Sequence, residues 1–321
     1  MAFDFNEVKA AYERIRPYVR KTLLEESFYL GDGKRRYFFK LESLQRAKSF
    51  KIRGALNKML TLTAEEAAQG VATVSSGNHG SSVSYAASLL GIQNAKVIVP
   101  EGTPQSKIDR IRYFGAEVLQ MGKSYDEAHR LGLDYIRRHG LTYIDAYYDD
   151  PKIYGGQGTI GIEILEQNPD IDTIVVPIGG GLITGIAVAA KALKPDIRIV
   201  GVQTEKCPAM IKSYEDGVFY EEYPCEGDSI CDALLGGVGA LSYQMVKDCV
   251  DDLVAVSEDT VGRAVSFMAR EEKFVVEAGS CTTVAAVMDH RERIGGRQIA
   301  LVLSGGNIDG QMLASLLEKY Q

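Results

Sequence analysis

A lysine stands between two large apolar side chains in the stretch KSFKIRGA, where Lys51 follows Phe50 and precedes Ile52 in a segment with the pattern of a helix start. Most lysines near a helix start are solvated. Apolar neighbours point the other way, because they depress an amine's pKa and leave more of the neutral nucleophile that condenses with an aldehyde. Lys48, in the same stretch, lacks such flanks and is expected to be solvated.

Three small, Gly-rich turns supply the other candidates: VSSGNHG at 74–80, PIGGGLITG at 177–185 and LSGGNIDG at 303–310. Gly179, Gly180 and Gly181 run from a buried-strand pattern into the helical pattern LITGIAVAAKAL, so that backbone N–H groups and a helix dipole can hold a phosphate. A tight turn is the ordinary alternative. A dinucleotide site is another, with Gly185 closing an imperfect GxGxxxG and Glu205 beyond the next strand. Ser75, Ser76, Asn78 and His79 are either helix caps and an ordinary imidazole, or donors suited to a carboxylate or a ring hydroxyl. Ser304, at the end of the apolar run IALVL, is a cap or a partner for a ring nitrogen. An amine, a phosphate cradle and two polar strand ends suit one ligand, pyridoxal phosphate.

These turns need strand ends to carry them. Short β-rich runs (RYFFK, GVATVSS, AKVIVP, EVLQMG, TYIDAY, TIVVPIG, RIVGVQTE, DDLVAVSE, IALVLSGG) alternate with segments of helical period. That order predicts an α/β fold with largely parallel sheets covered on both faces, binding its ligand at the strands' carboxyl ends. The stretch YYDDPKIYGG, 147–156, has turn chemistry and reads as a crossing between two lobes.

The 321 residues carry 43 acidic and 36 basic side chains, a net charge of −7 with no basic block, which argues against nucleic acid and anionic membranes as partners. No run is long and apolar enough for a membrane span, and MAFDFNEVKAAYERIRPY is too polar for a signal peptide, so a cytoplasmic protein is expected. Five cysteines (Cys207, Cys225, Cys231, Cys249, Cys281) without a CxxC pair predict free thiols. Four histidines and no HExxH leave little for a metal centre.

In order along the chain, KLESLQRAKSFKIRGA, VSSGNHG, VPEGTPQSKIDRIRYFGAEV, GQGTIGIEIL, PIGGGLITG and LSGGNIDG resemble the fold type II pyridoxal-phosphate enzymes of the serine/threonine dehydratase and serine racemase family. The resemblance implies two open, twisted, mostly parallel sheets flanked by helices, with the cofactor between a large domain (1–50 and 151–321) and a small mobile one (51–150). It implies that Lys51 forms the Schiff base, Phe50 packs beside the ring and Asn78 meets the 3′-oxygen. Backbone N–H groups of Gly179, Gly180, Gly181 and Leu182 would take the phosphate, and Ser304 the pyridine nitrogen. Ser75, Ser76, Asn78 and His79 would receive the substrate, with Ser76 on the ring face opposite Lys51. The activity implied is β-elimination of a β-hydroxy amino acid such as threonine or serine to a 2-oxo acid and ammonia, by a homodimer. A serine or aspartate racemase and an NAD(P)-dependent oxidoreductase using the Gly179–Gly185 loop are the alternatives.

Three departures qualify the resemblance. The loop has three glycines after Ile178 where many relatives have four, and with CDALLGGVG and VVEAGS it is nearest to the hydroxyectoine-utilisation dehydratase-like branch. Where cation-binding relatives carry ligands, this chain has Gln203, Cys207 and Ala209, so no magnesium or calcium dependence is expected through that site. Ser76 makes racemisation chemically accessible.

Overall fold

The computed structural model describes residues 3–146, 149–225 and 227–321, so Tyr147 and Tyr148 of the expected lobe crossing lie outside the described residues. Among the described residues, ten strands form two sheets. Six of them, β1 (Leu24–Glu26), β2 (Arg36–Leu41), β7 (Thr173–Pro177), β8 (Arg198–Thr204), β9 (Asp252–Val256) and β10 (Gln298–Leu303), lie in the order β1-β2-β10-β7-β8-β9. All pairs are parallel except β1 with β2. The other four, β3 (Val71–Val74), β4 (Ala95–Val99), β5 (Glu117–Gln120) and β6 (Thr142–Tyr143), form the parallel sheet β5-β4-β3-β6. The α/β architecture read from the alternating pattern is therefore the observed one; β1, too short to show a period, was not anticipated.

Alternation along the strands explains the layers. Leu301 and Leu303 of β10 and Val175 of β7 face a core built with Val284 and Val287 of the helix Ala278–Ile294. Ala300, Val302, Ile174 and Val176 face the opposite core, with Ile160 and Ile183 of the helices Pro151–Gln167 and Gly181–Leu193. Successive side chains leave a strand on opposite faces, so apolar residues at every position require cover on both sides.

The helix Pro151–Gln167 corrects the turn read over residues 151–156. Asp150 caps it by accepting from the Lys152 N–H, Pro151 occupies its first turn, and PKIYGG continues as helix. Its glycines serve close packing. A Cβ at Gly156 would lie 2.4 Å from the Arg53 carbonyl oxygen, and one at Gly185 would lie 2.7 Å from the Gly158 nitrogen. Gly185 is thus a helix-packing glycine.

The expectation of five free thiols fails for one pair: Cys207 and Cys225 are joined as a disulfide, while Cys231, Cys249 and Cys281 remain free. The pairing was not legible because the partners sit 18 residues apart, on a strand exit and in a loop.

Candidate active site

A cavity of about 580 Å³ opens where the carboxyl ends of both sheets face each other. Ser75, Ser76, Asn78 and His79 enter it after β3, Gly179, Gly181 and Leu182 after β7, and Ser304 after β10, together with Phe50 and Lys51 beyond β2. The sequence-predicted residues thus converge, with one exception. Gly180 lies buried behind the wall with φ +106°, a backbone position that glycine accommodates without a Cβ penalty.

Lys51 opens the helix Lys51–Met59 and is delivered by an unusual backbone. Ala47 and Lys48 both have positive φ, 54° and 58°, a conformation that non-glycine residues hold only when their surroundings over-determine it. The surroundings here come from the turn after β10. The Lys48 carbonyl accepts from the Gly306 N–H at 2.9 Å, the Ala47 carbonyl from the Asn307 side chain at 3.0 Å, and the Phe50 N–H donates to the Ser304 carbonyl at 3.0 Å. The Lys48 side chain stays exposed, while the Lys51 ammonium is half-buried, donating to the Ala146 carbonyl at 2.9 Å and lying 5.4 Å from the Phe50 ring centre. Burial pushes its pKa down to about 8, against the opposing fields of Asp145 and Glu277.

Asn78 and Ser304 are held by residues that the sequence did not single out. The Asn78 amide donates to both Glu277 oxygens, at 2.9 and 3.0 Å, and accepts from the Asn307 side chain at 2.7 Å. Its carbonyl end is thereby fixed, and its NH₂ faces the acid. Ser304 Oγ lies 2.8 Å from Ser280 Oγ, which also accepts from the Gly305 N–H at 2.7 Å. The single Ser280 proton can go to the Gly305 carbonyl, at 3.0 Å, or to Ser304; in the second case the Ser304 proton is left to donate into the cavity, and in the first it is held by Ser280. Glu277 is half-buried, and desolvation raises its pKa, although the Asn78 contact works against the shift.

His79 is mainly structural. Its Nε2 lies 3.1 Å from the Ile144 carbonyl, and burial followed by the Lys51 charge lowers its pKa to about 3, so the ring is neutral. The helix Asn78–Leu90 starts beside it from Gly77, leaving first-turn N–H groups turned to the cavity end of the helix.

The Gly-rich turn fits a phosphate. The helix Gly181–Leu193 has no side-chain cap at its N-terminus, so its dipole and first N–H groups are available to an anion. A Cβ at Gly181 would meet Gln157 Oε1 at 2.5 Å and the Tyr154 ring at 2.7 Å. Gln157 lines the cavity, and its Oε1 is a buried acceptor with no partner among the described residues. Half a turn of the amide presents its NH₂ instead, which suits an anion. With an amine of depressed pKa and a serine hydroxyl in the same cavity, these residues fit pyridoxal phosphate.

The positions aligned with cation ligands have other duties. Gln203 Oε1 accepts from the Met210 and Ile211 N–H groups at 3.0 and 3.2 Å, capping the helix Ala209–Asp216, and Cys207 is in the disulfide. Glu205 is exposed, and among the described residues no group of three His, Cys, Asp or Glu side chains is placed to share a metal ion.

Known proteins resemble this chain over nearly its whole length. A family model described as pyridoxal-phosphate dependent enzyme matches residues 15–305. An L-threonine ammonia-lyase of Thermotoga maritima is 38% identical, covering 98% of this chain and 78% of its own. A catabolic L-threonine dehydratase of Escherichia coli K12 is 37% identical, with 95% and 93% covered. The solved structure of maize serine racemase superposes with a TM-score of 0.91 at 32% identity, covering 100% of this chain and 98% of the other.

Proposed function

Because the chain belongs to the pyridoxal-phosphate dependent enzyme family, we propose that it is a lyase that dehydrates and deaminates a β-hydroxy amino acid such as threonine or serine. The observation that carries this reading is the meeting of the Lys51 amine, the uncapped helix after Gly180 and the Ser304 hydroxyl in one cavity. The reading extends to a cytoplasmic homodimer in which residues 51–150 form a small domain that closes on a large one. Within the family, the three-glycine loop favours the hydroxyectoine-utilisation dehydratase-like branch.

Pyridoxal phosphate, when bound, supplies an aldehyde for amines and a ring that withdraws electrons from the substrate Cα. The chain's own residues do the rest. Backbone N–H groups of Gly179, Gly181 and Leu182, with Gln157, would hold the phosphate, and Phe50 would flank the ring. Asn78, oriented by Glu277 and Asn307, would meet the ring 3′-oxygen. Ser304 would face the ring nitrogen and, unlike a carboxylate, would leave it neutral, which favours prompt loss of a β-leaving group. The turn Ser75–His79 binds the substrate carboxylate. Lys51 Nζ would take the Cα proton as general base and give a proton back to the β-hydroxyl, which would depart as water with the C–O electron pair, and the released enamine would hydrolyse to a 2-oxo acid and ammonia.

A screen of β-hydroxy amino acids for 2-oxo acid and ammonia, with chiral analysis of unreacted substrate, tests the proposal. Keto acid from L-threonine or L-serine is expected. Inversion without keto acid would favour the second reading, a racemase, which rests on Ser76 in the same cavity.

The Lys51 pKa has a consequence before any turnover. Capture of the cofactor by apoprotein requires the neutral amine, so its rate should rise about tenfold per pH unit below pH 8 and level off above it. A lysine in water would keep rising towards the ordinary lysine value of 10.5. Stopped-flow absorbance against pH distinguishes the two. The linked stability runs in the same sense: the folded pKa is depressed, the unfolded chain binds more protons between about pH 8 and 10.5, and the burial cost of protonated Lys51 is relieved across that window.

A further inference from the structure

We propose that Cys207 and Cys225 form a reversible thiol–disulfide modification site that fastens the loop 217–239 to the carboxyl end of β8 and sets how firmly one wall of the cavity is held. The loop joins the helices Ala209–Asp216 and Ala240–Cys249 and, among its described residues, carries only the short turn Asp232–Leu234 as regular structure. Its second half is the wall: Leu234, Gly236, Gly237 and Val238 line the cavity, and Leu234 lies 3.9 Å from where a Cβ of Gly179 would sit.

The first half is weakly tied. Among the described residues of 221–228, no backbone N–H donates a hydrogen bond within the chain. The covalent bond from Cys225 to Cys207 restrains that stretch, across a Cα–Cα distance of 4.7 Å that falls within the usual disulfide range. Restraint passes from there to the wall by three contacts. Cys207 Sγ accepts from the Gly236 N–H at 3.3 Å. The Tyr220 carbonyl accepts from the Val238 N–H at 3.0 Å. Gly237 packs so closely on the Glu221 carbonyl that a Cβ would stand 1.8 Å from its oxygen.

Accessibility sets the chemistry. Cys207 is fully buried and Cys225 is half-exposed, so exchange begins at Cys225. With glutathione disulfide as oxidant, the Cys225 thiolate attacks one glutathione sulfur and expels a glutathione thiolate. The Cys207 thiolate then attacks Cys225 Sγ and expels the second, so two electrons pass from the protein to the glutathione pair. A dithiol reductant reverses both steps. Burial raises the pKa values of Cys231, Cys249 and Cys281, which keeps those thiols protonated and slow to exchange.

The test uses the purified full chain held in glutathione disulfide or in dithiothreitol, followed by denaturation, maleimide labelling and mass measurement. Of the five cysteines, all should label after dithiothreitol and three after glutathione disulfide, with Cys207 and Cys225 protected. Cleavage by a glutamate-specific protease after the exposed Glu221 and Glu222 should be about tenfold slower in the oxidised form, and deuterium uptake at 234–238 correspondingly lower. Cys225→Ser should show the faster cleavage and uptake under both conditions. Full labelling after glutathione disulfide, equal cleavage or uptake in the two states, or an oxidation effect retained in Cys225→Ser would each overturn the proposal.

Discussion

Lys51→Ala should lower turnover of the amino-acid substrate by at least about a thousandfold, because one amine both holds the cofactor and moves the Cα proton. The variant should also lack the visible absorbance that wild-type protein gains with pyridoxal phosphate. Folding should survive: Lys51 begins its helix, and removing a half-buried ammonium of depressed pKa relieves a desolvation cost. Lys48→Ala is the matched control, since that side chain is exposed and contributes to the site only through its backbone. Its turnover should stay within about twofold of wild type, as for surface substitutions generally. A Lys51→Ala enzyme with wild-type turnover in purified form would remove the mechanism.

The second large effect lies two residues further along the same helix. Arg53 is wholly buried and donates to Glu42 at 2.8 Å, to Glu163 at 2.7 Å and to the Thr159 hydroxyl at 3.1 Å. Buried Lys40 meets the other Glu163 oxygen at 2.6 Å. Burial opposes the Arg53 charge, but the two carboxylates outweigh it and raise its pKa; the same cation holds the Glu42 carboxyl below its usual range despite burial. Arg53→Ala would leave two carboxylates facing one lysine in a site without solvent. Breaking such a buried network costs about 3 to 5 kcal/mol, a large part of the stability of an ordinary domain. Urea unfolding should show that loss. Arg53→Lys should recover little of it, because an ammonium cannot reproduce the fork that reaches both acids. A loss below about 1 kcal/mol for Arg53→Ala would mean that water enters and solvates the carboxylates.

This network connects the fold to the chemistry. It joins β2, the exit from β2, the lysine helix and the helix Pro151–Gln167, and the last of these packs against the helix that opens at Gly181. Lys51 and the glycine cradle are thereby referred to one rigid set of buried charges.

What the chain disclosed by itself follows from locality. Lys51, the turn at 75–79, the glycines at 179–181 and Ser304 each lie in a short stretch where an apolar run meets small or polar residues, and parallel sheets place such strand ends together. The partners that orient them were hidden by distance. Asn78 and Glu277 are 199 residues apart, and Asn78 and Asn307 are 229 apart. Nothing around Glu277 distinguishes a half-buried acid from a solvated one until the turn after β10 folds against it. The glycines at 155 and 156 read as turn-like because local propensity counts against glycine in a helix, whereas close approach to the helices that carry Glu7 and Arg53 decides the matter. The Cys207–Cys225 pair was equally invisible, since the loop that returns Cys225 to the end of β8 has no periodicity to read.

The central claim is that Lys51 is the amine that carries pyridoxal phosphate. Borohydride reduction of the cofactor-loaded protein, followed by proteolysis and peptide mass mapping, addresses it directly. The account predicts one reduced pyridoxyl group per chain, on Lys51, with none on Lys48, Lys107 or other lysines. Stoichiometric label on a different lysine, or loaded protein in which Lys51 stays unmodified after reduction, would contradict it.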